Sequence, residues 1–388
     1  MEELKLPEHF EEYAEGRKAG FLKMKAAKEQ GKKVAGYFCT FTPLEVLDAA
    51  GLLSVGLCGM SNETVSAAET VLPKNLCPLV KSSYGFALTD KCPYTYWSDV
   101  IIGETTCDAK KKMYELLGER KKMFVLHLPQ GIEPAYVKAQ WRSELRRFVA
   151  FIEKEFQVEL TDEKLRAAAK KRNQLRSERL RLMEVQKLSP APISGVKLYK
   201  FMEGLSFNFD LDNAIAAVKS LRAEILKEYE LADKTPAKRR RILITGCPIG
   251  GVLDKVVGAI ERSDADVVCF ENCSGIKAMR CLVDTEREDI VDAIADAYLD
   301  IGCSVMTPNE KRMENIPKLI GEFRCDAVID VTLQTCLTYA VETRSVRRLC
   351  EELSVPYMSL ETDYSQEDGG QLDTRIAAFI EMLAEQRK

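Results

Sequence analysis

Thirteen cysteines and only two histidines, His9 and His127, stand in a chain of 388 residues. The cysteine count is odd and the chain is large, so a disulfide framework explains it poorly. With so little imidazole, histidine-rich zinc sites and most histidine-based acid–base catalysis are disfavoured. Sulfur-only ligation needs no imidazole, and iron–sulfur clusters are held by thiolates. Two options follow: inert thiols that pack as small hydrophobes, or soft-metal chemistry.

Residues 242–251, ILITGCPIGG, sharpen the choice. A β-branched run followed by a glycine-rich turn reads as strand, tight loop and helix, the grammar of a phosphate-binding loop. The stretch lacks the G-x-G-x-x-G order of a dinucleotide site and the Lys-Ser/Thr ending of a P-loop. Read instead as a thiol at a helix N-terminus, every residue has a role, with Gly250 and Gly251 letting a bulky cofactor approach the backbone.

The surrounding pattern says how such thiols are positioned. After an amphipathic first helix with Phe10, Tyr13 and Phe21 on its apolar side, short apolar runs alternate with helical patterns. KKVAGYF, LLSVGLCG, SDVIIGET and KKMFVLHL read as strands, and PLEVLDAAG and AKKKMYELLGER as helices. Residues 136–232 change to long, highly charged helical stretches whose charge runs read as solvated faces, and DKTPAKRRR (233–241) reads as a linker. Strand–helix alternation then resumes through RILITG, ADVVCFE, CSVMTP, DAVIDVTLQ and PYMSLETD. The expected architecture is α/β: two doubly wound, mainly parallel-sheet domains of Rossmann or flavodoxin type, at 1–135 and 236–388, joined by a helical segment at 136–235. DVIIGETTC (99–107) and DAVIDVTLQTC (326–336) end alike, an echo consistent with duplication.

Ligands of open α/β sheets bind beyond the carboxyl ends of the strands. Cys39, Cys107, Cys247 and Cys336 each fall at such a mouth, near a helix N-terminus whose free amides favour thiolates and anionic clusters. Cys77, like Cys247, precedes proline, a frequent neighbour of cluster ligands. Cys92 also precedes proline but lies in a turn of uncertain direction. Cys273 and Cys281 fit either role, while Cys58, Cys269, Cys303, Cys325 and Cys350 read as packing thiols.

GYFCTFTPLEVLDAAGLLSVGLCG, NLCPLVKSSYGF, GETTCDAKKKMYE, LITGCPIGG, ENCSGIKA and LETDYSQEDGGQLDTRIAAFIEML resemble the 2-hydroxyacyl-CoA dehydratase family. More narrowly, they resemble its single-subunit branch, the double-cubane cluster proteins, over about residues 10–385. The resemblance implies two 4Fe-4S cubanes joined by sulfide into one 8Fe-9S cofactor, held in the cleft between the domains of each chain of a homodimer. By position, the implied ligands are Cys39, Cys77, Cys107, Cys247, Cys281 and Cys336, with Cys273 as the substitute. It also implies reduction of a small-molecule substrate, fed with low-potential electrons by an iron–sulfur ATPase activator of actin-like fold. A dehydratase subunit with one 4Fe-4S cluster, or a non-catalytic electron carrier, are the alternatives. Lys81, Tyr84, Glu104 and His127 lie near the mouths as candidate proton donors.

Composition adds exclusions. The formal net charge of −4 gives no reason to expect nucleic acid or an anionic membrane as partner. The apolar runs are strand-length, below the roughly 20 residues of a membrane span. The start is acidic and mixed in charge, unlike a signal peptide, so a cytoplasmic location is expected.

Overall fold

A computed structural model describes residues 4–132, 136–232 and 239–385. Most of the expected linker, residues 233–238, and the expected joins at 135/136 and 235/236 lie outside the described residues. The chain forms two compact units: Met1–Arg172 with Val283–Leu299, and Asn173–Leu282 with Asp300–Lys388.

The first unit carries a four-stranded parallel sheet of β1 (Val34–Tyr37), β2 (Leu53–Gly56), β3 (Val100–Glu104) and β4 (Met123–Leu126) in the order β2-β1-β3-β4. The second carries β5 (Arg240–Gly246), β6 (Ala265–Phe270), β7 (Ala327–Leu333) and β8 (Tyr357–Thr362) in the order β6-β5-β7-β8, again all parallel. Parallel strands covered on both faces read as near-continuous apolar runs, which is why they stood out in the sequence. β3 and β7 are buried along their whole lengths.

Each sheet has one strand order, and the expected α/β class is the observed one. The second sheet has four strands, however, not the five that the apolar runs implied. CSVMTP is an irregular turn, closed by the amide of Met306 on the carbonyl of Cys303 at 2.9 Å. A further parallel neighbour would need a crossover helix packed on its own sheet. The helix before this stretch, Ile290–Leu299, belongs to the first unit instead.

The charged segment forms helices Tyr136–Phe156, Asp162–Met183, Gly195–Gly204 and Leu211–Leu231. Their charged faces are solvated, but each also has a side that packs. In Tyr136–Phe156, Trp141, Leu145, Phe148 and Ile152 recur at helical spacing and are fully buried. This stripe meets Ile290–Leu299: the indole of Trp141 donates to the carbonyl of Ala295 at 3.1 Å, and the guanidinium of Arg142 grips Asp296 through two hydrogen bonds of 2.9 and 2.5 Å. At the N-terminus a short turn, Phe10–Glu12, precedes helix Glu15–Glu29, with Phe21 buried and Tyr13 stacked on it at 5.5 Å. No helix among the described residues is long and apolar enough to cross a membrane.

Trp141→Ala should remove about 3–5 kcal/mol of stability, read as an earlier denaturant midpoint, because it empties a buried indole-sized space and leaves a buried carbonyl without its donor.

Candidate sulfur site

In both sheets the connections leave in opposite directions from the centre. β1 leads to β2 on one side and β3 to β4 on the other; β5 and β7 do the same in the second unit. The carboxyl ends of the two central strands of each sheet therefore flank a topological switch point, where diverging loops leave room for a ligand. Each of these four strands delivers a cysteine. Cys39 and Cys107 follow β1 and β3; Cys247 and Cys336 follow β5 and β7. The echo between DVIIGETTC and DAVIDVTLQTC is thus positional too, since each is the third strand of its sheet followed by a cysteine N-cap.

Local backbone chemistry presents these thiols. Cys107 caps helix Asp108–Gly118, Cys336 caps Leu337–Glu352, and Cys77 caps Pro78–Leu88 with proline at the first turn, where its missing N–H costs nothing. Gly246 turns the chain out of β5 with φ +106, and a Cβ there would fall 2.1 Å from the carbonyl oxygen of Val331. Only glycine satisfies both conditions. Cys247 then lies 1 % exposed, its own amide donating to Val331 O at 2.8 Å and its sulfur accepting from the amide of Leu333 at 3.4 Å. The carbonyl of Leu333 in turn accepts the amide of Cys336 at 3.0 Å, so both cysteines are tied to the end of β7. Thr335, just before Cys336, is held in the left-handed region at φ 57, a rare conformation for a β-branched residue.

Cys273 and Cys281 have different surroundings. The sulfur of Cys281 approaches the carbonyl of Lys277 at 3.9 Å, and burial pushes its thiol up to about 12, as it does for Cys325 and Cys350. Cys273 is only half-buried, within electrostatic reach of Tyr199, Lys277, Cys303 and Tyr339. The hydroxyl of Tyr199 accepts the amide of Ile249 in the Cys247 loop at 3.4 Å, and Tyr339 lies three residues after Cys336. Cys92 caps helix Pro93–Trp97, its sulfur accepting the amide of Thr95 at 3.5 Å. Cys269 and Cys350 are fully buried packing thiols.

The four candidate proton donors separate clearly. Lys81 is tied to Glu69 at 2.7 Å and to the carbonyl of Lys74 at 2.8 Å, and His127 is exposed. Tyr84 is buried within helix Pro78–Leu88. Glu104 closes β3, fully buried, with one carboxyl oxygen accepting from Thr42 Oγ and the other without a partner. Burial pushes its carboxyl up to about 8 against the opposing hydrogen bond from Thr42 and the charge of Lys110.

Sequence reasoning passed over three residues here: Lys110, Lys277 and Asn272. Lys110 donates to the carbonyl of Phe38, next to Cys39, at 3.1 Å. Lys277 donates to Tyr339 at 2.6 Å, and the side-chain oxygen and nitrogen of Asn272, beside Cys273, are fully buried without a partner. Lys110 lay among the polar residues of the helical stretch AKKKMYELLGER, and Lys277 and Asn272 lay in ENCSGIKA, where only the cysteine suggested chemistry.

None of the thirteen cysteines is joined in a disulfide. Among the described residues no three His, Cys, Asp or Glu side chains are grouped to hold a single metal ion. A cubane makes a different demand, since it holds its thiolates at separate corners of a cage. The donor chemistry suits such a group: soft sulfur at strand mouths, the Leu333 amide donating to the Cys247 sulfur, and an unpartnered side-chain amide beside Cys273.

The family model for the 2-hydroxyglutaryl-CoA dehydratase D-component matches residues 39–383. The chain belongs to that family. It is 44 % identical to a protein of Escherichia coli K12 named as a dehydratase subunit, YjiM, over 97 % of this chain and 98 % of the other. More distant members include the (R)-phenyllactyl-CoA dehydratase beta subunit of Clostridium sporogenes, 24 % identical over 93 % and 94 % of the two chains. A benzoyl-CoA reductase component of Thauera aromatica is 22 % identical over 88 % of each chain. D-component relatives thus include subunits of dehydratases and of a reductase.

Gly246→Ala should cost at least about 2 kcal/mol by denaturant unfolding, whereas Thr335→Gly should shift stability by no more than about 1 kcal/mol, on the favourable side. Glu104 gives a signed pH test. The folded chain keeps this proton between the ordinary carboxyl range and about 8 while the unfolded chain releases it, so stability falls as pH rises across that window. Glu104→Gln should remove its share of that slope, read from urea midpoints at a series of pH values.

Proposed function

We propose that this D-component relative is an iron–sulfur reductase carrying a double-cubane 8Fe-9S cluster, with Cys39, Cys77 and Cys107 as ligands from the first unit and Cys247, Cys336 and one further cysteine from the second. Supporting this is one observation above all: in each sheet the two central strands flank the switch point and each delivers a thiol. Cys281 holds the sixth place by position in the resemblance, and Cys273 is the substitute that the surroundings favour, because it shares the neighbourhood of the Cys247 loop and of Tyr339.

The cluster would store low-potential electrons and pass them to a small bound molecule. The chain's own residues would do the rest. The Leu333 amide would hold the Cys247 sulfur, Gly246 and Thr335 would fix the approach of the two ligand loops, and the buried strand ends would exclude water. Glu104 is the titratable group best placed to keep a proton near neutral pH. Electrons would come from an iron–sulfur ATPase activator of actin-like fold, and the working form would be a cytoplasmic homodimer.

A second reading has its own support. Two dehydratase relatives at 24 % and 23 % identity are named as beta subunits, which favours a chain with one 4Fe-4S cluster and a different partner chain. Anaerobic iron and sulfide analysis separates the two: about eight irons per chain for the double cubane against about four for the single cluster. A colourless, iron-free protein purified without oxygen would sink both. If the protein, supplied with activator, ATP and reductant, reduces no small molecule by itself, it is an electron carrier.

Cys247→Ser should lower the iron content by about half if the cubanes are held separately, and to nearly nothing if they form one unit. Comparing Cys273→Ser with Cys281→Ser by the same measurement assigns the sixth ligand: the true one loses iron and the other keeps it.

A further inference from the structure

The first unit encloses a cation whose countercharge is not supplied by its carboxyls. Lys110 starts on the helix that Cys107 caps, and although part of its stem meets solvent, its ammonium turns inward and donates to the carbonyl of Phe38 at 3.1 Å. It also lies 6.0 Å over the Phe38 ring, which itself packs against Tyr114 at 5.5 Å. The thiol of Cys58 donates to the same Phe38 carbonyl at 3.0 Å. Four titratable groups reach this ammonium electrostatically: Tyr114, Cys58, Cys39 and Glu104. Burial opposes its charge, yet these neighbours together raise its proton affinity well above that of an ordinary lysine.

Lys110 forms no ion pair among the described residues, unlike Lys28, which bridges to Asp99, or Lys81, which bridges to Glu69. Its one carboxyl neighbour, Glu104, is itself held protonated near neutral pH by burial. Enclosing an ammonium without an anion is costly, and proteins tolerate it where a negative group completes the site. Tyr114 keeps its proton, because burial pushes its hydroxyl well above the ordinary range, so the remaining neighbours able to supply that negative charge are the sulfurs of Cys39 and Cys58. Lys277 in the second unit differs, since Glu271 stands among the groups that act on it.

We propose that Lys110 is a positioning residue: the built-in counter-cation of the sulfur centre that Cys39 joins, holding the anionic cluster in place and favouring its reduced form. This rests on the ligand reading of Cys39 given above. The physical reason is that each electron added to a thiolate-bound cluster adds negative charge, and a fixed cation in a poorly solvated setting lowers the free energy of that added charge. The electron itself comes from the external donor, and Lys110 neither gives nor takes a proton in the step.

The test is a redox titration of the anaerobically purified, cluster-loaded chain, followed by electron paramagnetic resonance, on the parent protein and on Lys110→Met, Lys110→Gln and Lys110→Arg. At the parent's midpoint potential, the ratio of reduced to oxidised cluster in the Met and Gln variants should fall at least about tenfold, a downward shift of about 59 mV for a one-electron couple. The Arg variant should stay within about twofold of the parent. Loss of iron from the Met and Gln variants with circular dichroism unchanged, and its return in Arg, also supports the proposal. It is overturned if the Met or Gln variant loads iron fully and titrates at the parent potential, or if Arg loses iron as Met does. A parent protein that binds no iron at all overturns the ligand reading, and the role of Lys110 with it.

Discussion

Everything at the sulfur site depends on one topological constraint. A parallel strand must be followed by a crossover, and when successive crossovers leave a sheet in opposite directions, the carboxyl ends of its two central strands are left uncovered between them. In both units that uncovered position is occupied by thiols. Backbone geometry then does the aiming: a glycine that no other residue could replace opens the Cys247 loop, and a left-handed threonine introduces Cys336. The amide of Leu333 offers Cys247 a hydrogen bond of the kind that thiolate ligands need, and Cys107 and Cys336 stand at the N-terminal ends of helices.

The strands were legible because β1, β3, β5 and β7 are covered on both faces and so advertise themselves as unbroken apolar runs. Their order was legible only in class, since a run of residues does not say which neighbour it pairs with. CSVMTP shows where the signal fails. Its composition suits a strand, but the helix preceding it packs elsewhere, and no sheet edge receives it. Helix Ile290–Leu299 is the counterpart: a helical pattern does not name its partner, so its pairing with Trp141 was not legible.

The same distinction runs through the site. Cysteine positions could be read against strand ends, which is why Cys39, Cys107, Cys247 and Cys336 emerged from the sequence with their setting intact. Lys110, Lys277 and Asn272 did not, because polar residues on helices and loops are usually solvated, and only the folded environment shows that these are not. Glu104 was readable as a residue near a mouth, but its unusual proton affinity is a product of complete burial, which one sequence does not display. Cys303 read as packing and is buried, yet its sulfur meets the hydroxyl of Tyr339 at 3.9 Å.

The excursion of Val283–Leu299 into the first unit has a consequence for how the chain is made. On a ribosome the amino-terminal unit cannot be finished when its own stretch ends at Arg172; its closing helix emerges more than a hundred residues later, after β5 and β6 have been synthesised. Trp141 and its neighbours must wait, exposed, for that helix. Cutting the gene at the apparent midpoint would therefore yield an amino-terminal half with an open wound in its core rather than an independent module.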